Sequence, residues 1–269
     1  MKTTSLIRRT VLATALLAIT GIASAQTVKL TLAHGNPPDN PRHIASLKFA
    51  ETVKAKTSGR VEIQVAHSAQ LGDDAAMVTA LRSGTLDFSA NSQGAVSSTV
   101  PEFAALGMPF LFADVQKAWS VMDSAIGKEL GEKAAAKGLV LLGLWDNGIR
   151  QMSNSKRPIK SPADMKGLKM RTPPDAVTVD IMQSLGADAQ QIKFSELYVA
   201  LQQGVVDGQE NPLTNISSAK LYEVQKYMNV TAHSWSGYNL LANLKMFQDL
   251  PADIQKVIER NAEKYVKLQ

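Results

Sequence analysis

The chain has 269 residues, a formal net charge of +5, 45% hydrophobic residues and no cysteine. That excludes disulfides, thiol catalysis and thiolate metal sites. The charge is also smaller than it looks, because Lys2, Arg8 and Arg9 precede an apolar run over 11–22 and an "ASA" cleavage site at 23–25.

Residues 1–25 therefore read as a signal peptide cleaved after Ala25. Removing its three basic residues from the total of 29 leaves 26 against 24 acidic ones, so nucleic acid is not an expected partner. The apolar run is too short to span a bilayer, and no later run is long enough either. A globular protein exported to the periplasm, and not itself membrane-inserted, is the class implied. The remaining length suffices for one large or two small domains.

"TVKLTLAH" (27–34) alternates Val28, Leu30 and Leu32, the pattern of a strand. Asn40 as cap and Pro41 at the first helical position open a helix, with Ile44, Leu47, Ala50 and Val53 as its expected buried face and Gly59 beyond its end. "RVEIQVAH" (60–67) is a second alternating strand. A helix capped by "LGDD" follows over 75–82, then Gly84 and the short strand "TLDFSAN" (85–91). Strand and helix alternate, which predicts an α/β fold with a mostly parallel sheet. "LVLLGLW" (139–145) is a further strand, ended by "DNG" read as a turn, with Arg150 on another short strand beyond it.

The second half repeats the first. "ALRSGTLDFSAN" (80–91) aligns with "ALQQGVVDGQEN" (200–211), and "NPPD" (36–39) aligns with "TPPD" (172–175). Two similar lobes in one chain imply a cleft between them. In open α/β sheets ligands bind beyond the carboxyl ends of the strands. His34, Asn91, Arg171 and Asn211 all fall at such ends.

Arg171 stands where the apolar strand "LKM" (168–170) ends, and "TPP" stiffens the backbone after it. A guanidinium offers a planar fork of donors that matches a carboxylate. The competing reading, for Arg171 and for Arg150, is a structural salt bridge to an acid of the chain. Glu210, beside Asn211, is expected to neutralise a neighbouring basic group. Trp235 and Tyr238 could stack a ligand ring or fill the core. The four histidines, His34, His43, His67 and His233, have no i, i+3 or i, i+4 spacing, so no helical metal pair is expected. Gly-x-Ser-x-Gly, Walker and Gly-x-Gly-x-x-Gly motifs are absent.

Four stretches carry a family resemblance: "SAQLGDDAAMVTALRSGTLDF", "NGIRQMSNSKRPIKSPADMKGLKMRTPP", "FSELYVALQQGVVDGQENP" and "HSWSGYNL". Together they make the chain similar to DctP-like substrate-binding proteins of tripartite ATP-independent periplasmic (TRAP) transporters over nearly all its mature length. The resemblance implies a two-lobed periplasmic-binding-protein-like fold of type II. Its lobes would be 26–148 and 149–235, with 236–269 returning to the first lobe and starting the C-terminal helices. Family members continue with further helices, so a C-terminal portion is expected to be missing after Gln269.

By resemblance, Arg171 makes the main bidentate bridge to a ligand carboxylate, and Arg150 is a second ligand-contacting arginine. Asn211 helps orient the carboxylate, and Phe194 packs near that clamp. His34, Gln93, Trp145 and Trp235 fall in loops that line the cleft in similar proteins. The implied function is capture of a small organic acid by a monomeric receptor and delivery to TRAP membrane permease subunits, without a cofactor or catalysis. The nature of the acid and any part for a cation stay open. The alternatives are a two-lobed receptor for an ATP-driven importer or a sensor kinase, and, behind those, an exported enzyme.

Overall fold

The computed structural model describes residues 27–112 and 114–265. The expected signal peptide and cleavage site lie outside the described residues. The chain begins with β1 (Val28–Ala33), α1 (Pro41–Lys56), β2 (Val61–Ala66), α2 (Asp74–Ser83), β3 (Phe88–Ser92) and the short α3 (Gln93–Ser97). Two helices, α4 (Val115–Met122) and α5 (Ala125–Ala135), lead into the long strand β4 (Leu139–Asn154). The next stretch holds β5 (Lys169–Thr172), α6 (Ala176–Ser184), β6 (Asp188–Gln191), α7 (Leu197–Gln202), β7 (Gly208–Pro212) and α8 (Leu213–Ser218). A second long strand, β8 (Tyr227–Asn243), is followed by α9 (Leu244–Asp249) and α10 (Ala252–Tyr265).

The strands form one mixed sheet in the order β2-β1-β3-β8-β4-β7-β5-β6. Each end has the same plan. β1 lies parallel between β2 and β3, and β5 lies parallel between β6 and β7. The repeat in the sequence falls on this symmetry: 80–91 covers the end of α2 and β3, and 200–211 covers the end of α7 and β7. Gly84 and Gly204 end the two helices with φ of 77° and 69°, a conformation that glycine alone adopts without strain.

The two ends are joined by β4 and β8, which run antiparallel to each other. The first part of β4 pairs with the last part of β8, Leu139 opposite Asn243. Its second part pairs with β7 on one side and the start of β8 on the other. Both long strands thus belong to both halves of the molecule. This corrects the turn expected at "DNG". Asp146–Gly148 is a register shift inside a single strand of 16 residues, with Gly148 at φ 118°. Antiparallel pairing with β8 carries the strand across the break, Asp146 opposite Gly237 and Gly148 opposite Ser236, and a bulge accommodates it by increasing the local twist.

Helices cover both faces. On one face Phe49 of α1 packs edge-on against Phe88 and Trp145, and Ile254 and Ile258 of α10 join the same cluster. On the other face Met77 and Leu81 of α2 pack with Phe103, Leu139 and Trp235. Smaller clusters around Met170 and around Leu197 fill the second half. The expected face of α1 is half right. Ala50 and Val53 are buried, but Ile44 and Leu47 are exposed, while Arg42, His43 and Ser46 lie inside. Those three polar side chains have partners there, so burial does not follow hydrophobicity along this helix.

Candidate ligand-binding cleft

The turns that follow β1, β3, β5 and β6, and the end of β7, converge on one cavity. This is where an open α/β sheet places a ligand. Arg171 enters it from β5 and is 2% exposed. Its Nε donates to the Ile192 carbonyl at 2.8 Å. Its two terminal nitrogens have no protein partner among the described residues. Burial pulls its pKa down to about 10; the Glu210 carboxylate offsets part of that and nearby Arg150 adds to it. The group therefore stays charged at neutral pH, with both terminal nitrogens of its fork unused.

Arg150 reaches the same cavity with its donors already engaged. Nε and Nη2 grip the two Glu210 carboxylate oxygens, the second at 2.8 Å, and Nη1 donates to Ser236 Oγ at 2.9 Å. Glu210 is fully buried, as the expectation that it neutralises a basic neighbour requires. Burial would raise its pKa, but Arg150, then His233, override that and hold it at about 2. Asn211 lies alongside, its Nδ2 donating to Gln209 Oε1 at 2.6 Å and its Oδ1 accepting from Asn215 at 3.3 Å.

Phe194, Gln93 and Trp235 also line the cavity. Trp235 is buried, stacks edge-on against Phe112, and donates Nε1 to Asp146 at 2.8 Å. Six of the eight residues singled out in the sequence thus meet in one place.

The other two do not line it, which corrects the expectation for them. Trp145 faces the opposite side of β4 and is core beside Phe49. His34 is wholly buried behind the wall. Its Nδ1 accepts from the Asn36 amide at 3.3 Å, which leaves Nε2 to donate to His43 Nδ1 at 3.0 Å. Burial first, then Arg42, His43 and His67, push its pKa down to about 2. The unfolded chain binds a proton at this residue below its ordinary value of 6.5, and the folded chain does not. Stability should thus fall with pH below that point, by up to about 1.4 kcal/mol per pH unit from this residue. Urea unfolding of His34→Gln between pH 7 and pH 5 is expected to show a shallower pH slope than the wild type; an equal slope would exclude His34 as its source.

A second set of wall residues was not legible in the sequence. Arg42, from the first turn of α1, is 2% exposed. It donates to Asp74 Oδ1 at 2.8 Å and to Asn36 Oδ1 at 2.6 Å, and its guanidinium lies 4.2 Å over the Tyr238 ring. Asp74 also accepts from the Ser92 amide at 2.8 Å. Read as a string, "LGDD" is only a helix cap, and Asp73 does serve as that cap. Its position just past a strand end was the usable clue.

The two halves meet over the cavity. Asn36 and Asn40 both donate to Asn215 Oδ1 at 3.0 Å, and Lys193 lies 3.2 Å from Asp73. Gly94 sits so close to Asp175 that a Cβ there would come within 2.4 Å of the Asp175 Cβ. Gly94→Ala is therefore expected to hold the halves apart, a closure penalty of about 1–3 kcal/mol, and to weaken ligand binding roughly tenfold or more. The melting temperature of the free protein should barely change. Calorimetric titration and a melting curve on one sample would check both.

Residues 32–269 match the family of bacterial extracellular solute-binding proteins, family 7, DctP. The chain belongs to the DctP family. A Sinorhizobium fredii protein is 55% identical over 228 residues, which span 85% of this chain and 42% of that relative. The chain thus spans less than half the length of that relative. It superposes on the sugar acid binding protein DctPAm of Advenella mimigardefordensis, solved with galactonate, at a TM-score of 0.88 and 34% identity, covering 90% of this chain and 78% of that one. A TRAP periplasmic solute-binding protein of Polaromonas, bound to D-erythronate, gives 0.87 and 37%, covering 89% and 79%. The two solved relatives are solute-binding receptors for small acids and not enzymes. Among the described residues of the present chain, no helix is long and apolar enough to cross a membrane, and no group of three or more His, Asp or Glu could hold a metal ion.

Proposed function

We propose that this chain is an extracytoplasmic receptor that captures a small organic acid through a salt bridge between the ligand carboxylate and Arg171, then delivers it to a secondary-active TRAP permease. One observation carries the reading. Arg171 is a buried cation in the cavity wall whose terminal donors no group among the described residues uses. A buried charge without a partner is costly, and a bidentate carboxylate removes that cost. Asn211 would steady the carboxylate, Phe194 would pack over it, and Arg150, already paired with Glu210, would stand behind it as a second ligand contact. The ligands of the two solved relatives, galactonate and D-erythronate, are both carboxylates.

The receptor is taken to be a monomer that closes around its ligand, a population shift paid for by contacts made only in the closed form. A melting-temperature screen with organic acids and their amides as neutral controls tests the reading. A ligand that binds only the folded state raises the melting temperature by mass action. A rise with carboxylates and none with amides is the expected result. A rise with the amides alone would sink the carboxylate reading.

A further inference from the structure

We infer that the cavity selects acids carrying one carboxylate and a hydroxylated far end, and that the Arg42–Asp74 pair is the specificity-determining element that rejects a second carboxylate. This rests on the reading of Arg171 as the carboxylate anchor.

The charges of the wall support it. Four cations line the cavity: Arg42, Arg150, Arg171 and Lys193. Arg150 is neutralised by Glu210, Lys193 by Asp73 at 3.2 Å, and Arg42 by Asp74 at 2.8 Å. Asp175, the remaining carboxylate of the wall, accepts from Thr178 at the start of α6 and forms no ion pair among the described residues. Among these cations Arg171 alone is therefore left without a carboxylate partner, and the wall offers a salt bridge to a single anionic group. A ligand with two carboxylates would have to place the second one among groups already paired.

The hydrogen-bonding character of the wall points the same way. Beside Arg42 stand the Asp74 carboxylate and Asn36 Oδ1, and Gln93 also lines the cavity. Gln93 is 4% exposed, and its Oε1 has no hydrogen-bond partner among the described residues. These are acceptors. A carboxylate only accepts, so against Asp74 it would face like charge. A hydroxyl both donates and accepts. It can give its proton to Asp74 while taking a bond from the Arg42 guanidinium. Tyr238 under Arg42 and the Ser92 amide on Asp74 fix the pair in place, so it is already organised before ligand arrives.

The test uses acids that differ only at the far end. D-Erythronate and meso-tartrate share four carbons, and D-galactonate and galactarate share six. In each pair the terminal hydroxymethyl group becomes a carboxylate. Calorimetric titration of the wild type should show the one-carboxylate acid of the binding pair held at least about tenfold tighter than its two-carboxylate partner. Asp74→Asn frees Arg42, and should narrow that ratio by at least about tenfold by tightening the two-carboxylate acid. Circular dichroism confirms that the variant is folded.

Equal or tighter binding of the two-carboxylate acids by the wild type would overturn the inference whatever the variant does. An unchanged ratio in folded Asp74→Asn would overturn the role of the pair. Both of those failures leave the anchor intact, provided Arg171→Ala still loses binding. Binding undiminished in Arg171→Ala, or no binding of any of the four acids, would overturn the anchor and the inference with it.

Discussion

Arg171→Ala is expected to lose about 2–5 kcal/mol of ligand binding, the usual cost of removing one partner of a buried charge pair. That is a drop in affinity of roughly thirtyfold at least. Arg171→Lys should recover little of it, because an ammonium presents a point charge where two parallel donors are needed. The free protein should not suffer in the same way. Arg171 is buried beside another cation and spends only one donor on the chain. Removing it relieves that repulsion, so the melting temperature of the unliganded variant should match or exceed that of the wild type. Binding and stability would then move in opposite directions at one residue. Affinity by titration and the unliganded melting temperature are the two readouts, and a variant that loses stability along with binding would mark Arg171 as structural instead.

Glu210→Ala should do the reverse damage. Glu210 is fully buried and supplies the only carboxylate that Arg150 touches among the described residues. Without it, Arg150 and Arg171 become two buried positive charges left only with the weaker influence of Asp175 and Asp74. Breaking a buried pair from one side costs about 3–5 kcal/mol, enough to unfold a protein of ordinary stability. The pH dependence has a definite sign. The carboxyl sits at about 2 when folded against 4.5 ordinarily, so its stabilisation is complete above 4.5 and is lost as the pH falls toward 2. Urea unfolding of Glu210→Ala at pH 7 should show the full loss. A cost below about 1 kcal/mol would mean that water or Asn211 replaces the carboxylate.

Much of this architecture could be read from the chain, and the misreadings share a cause. β1 and β2 show period-two alternation because one face of each meets a helix, and α1 announces its start through Asn40 and Pro41. The repeat was visible because both halves need a glycine at the same helix end. The break at 146–148 looked like a turn because Asp-Asn-Gly favours turns locally, while the pairing that keeps β4 extended comes from strands far away in sequence. α1 misled because Arg42 and Ser46 are buried by partners that no periodicity displays. The clamp residues at strand ends were legible. Arg42 and Asp74 were not, since each acquires its meaning from the other across 32 positions of chain.

The placement of β8 at the centre of the sheet has a kinetic consequence. β3 has only β1 beside it until Phe88 meets Ala242, and β4 has no partner on that flank until the same strand arrives. Neither half can complete its layer from its own contiguous stretch. Contacts of such long range make for slow folding, because the chain must close its largest loops before the central hydrogen bonds can form. During synthesis the first 200 or so residues would therefore remain an open, unfinished sheet. A polypeptide built in this order stays threadable while it is being made, and becomes compact only when the strand that stitches both halves together is delivered.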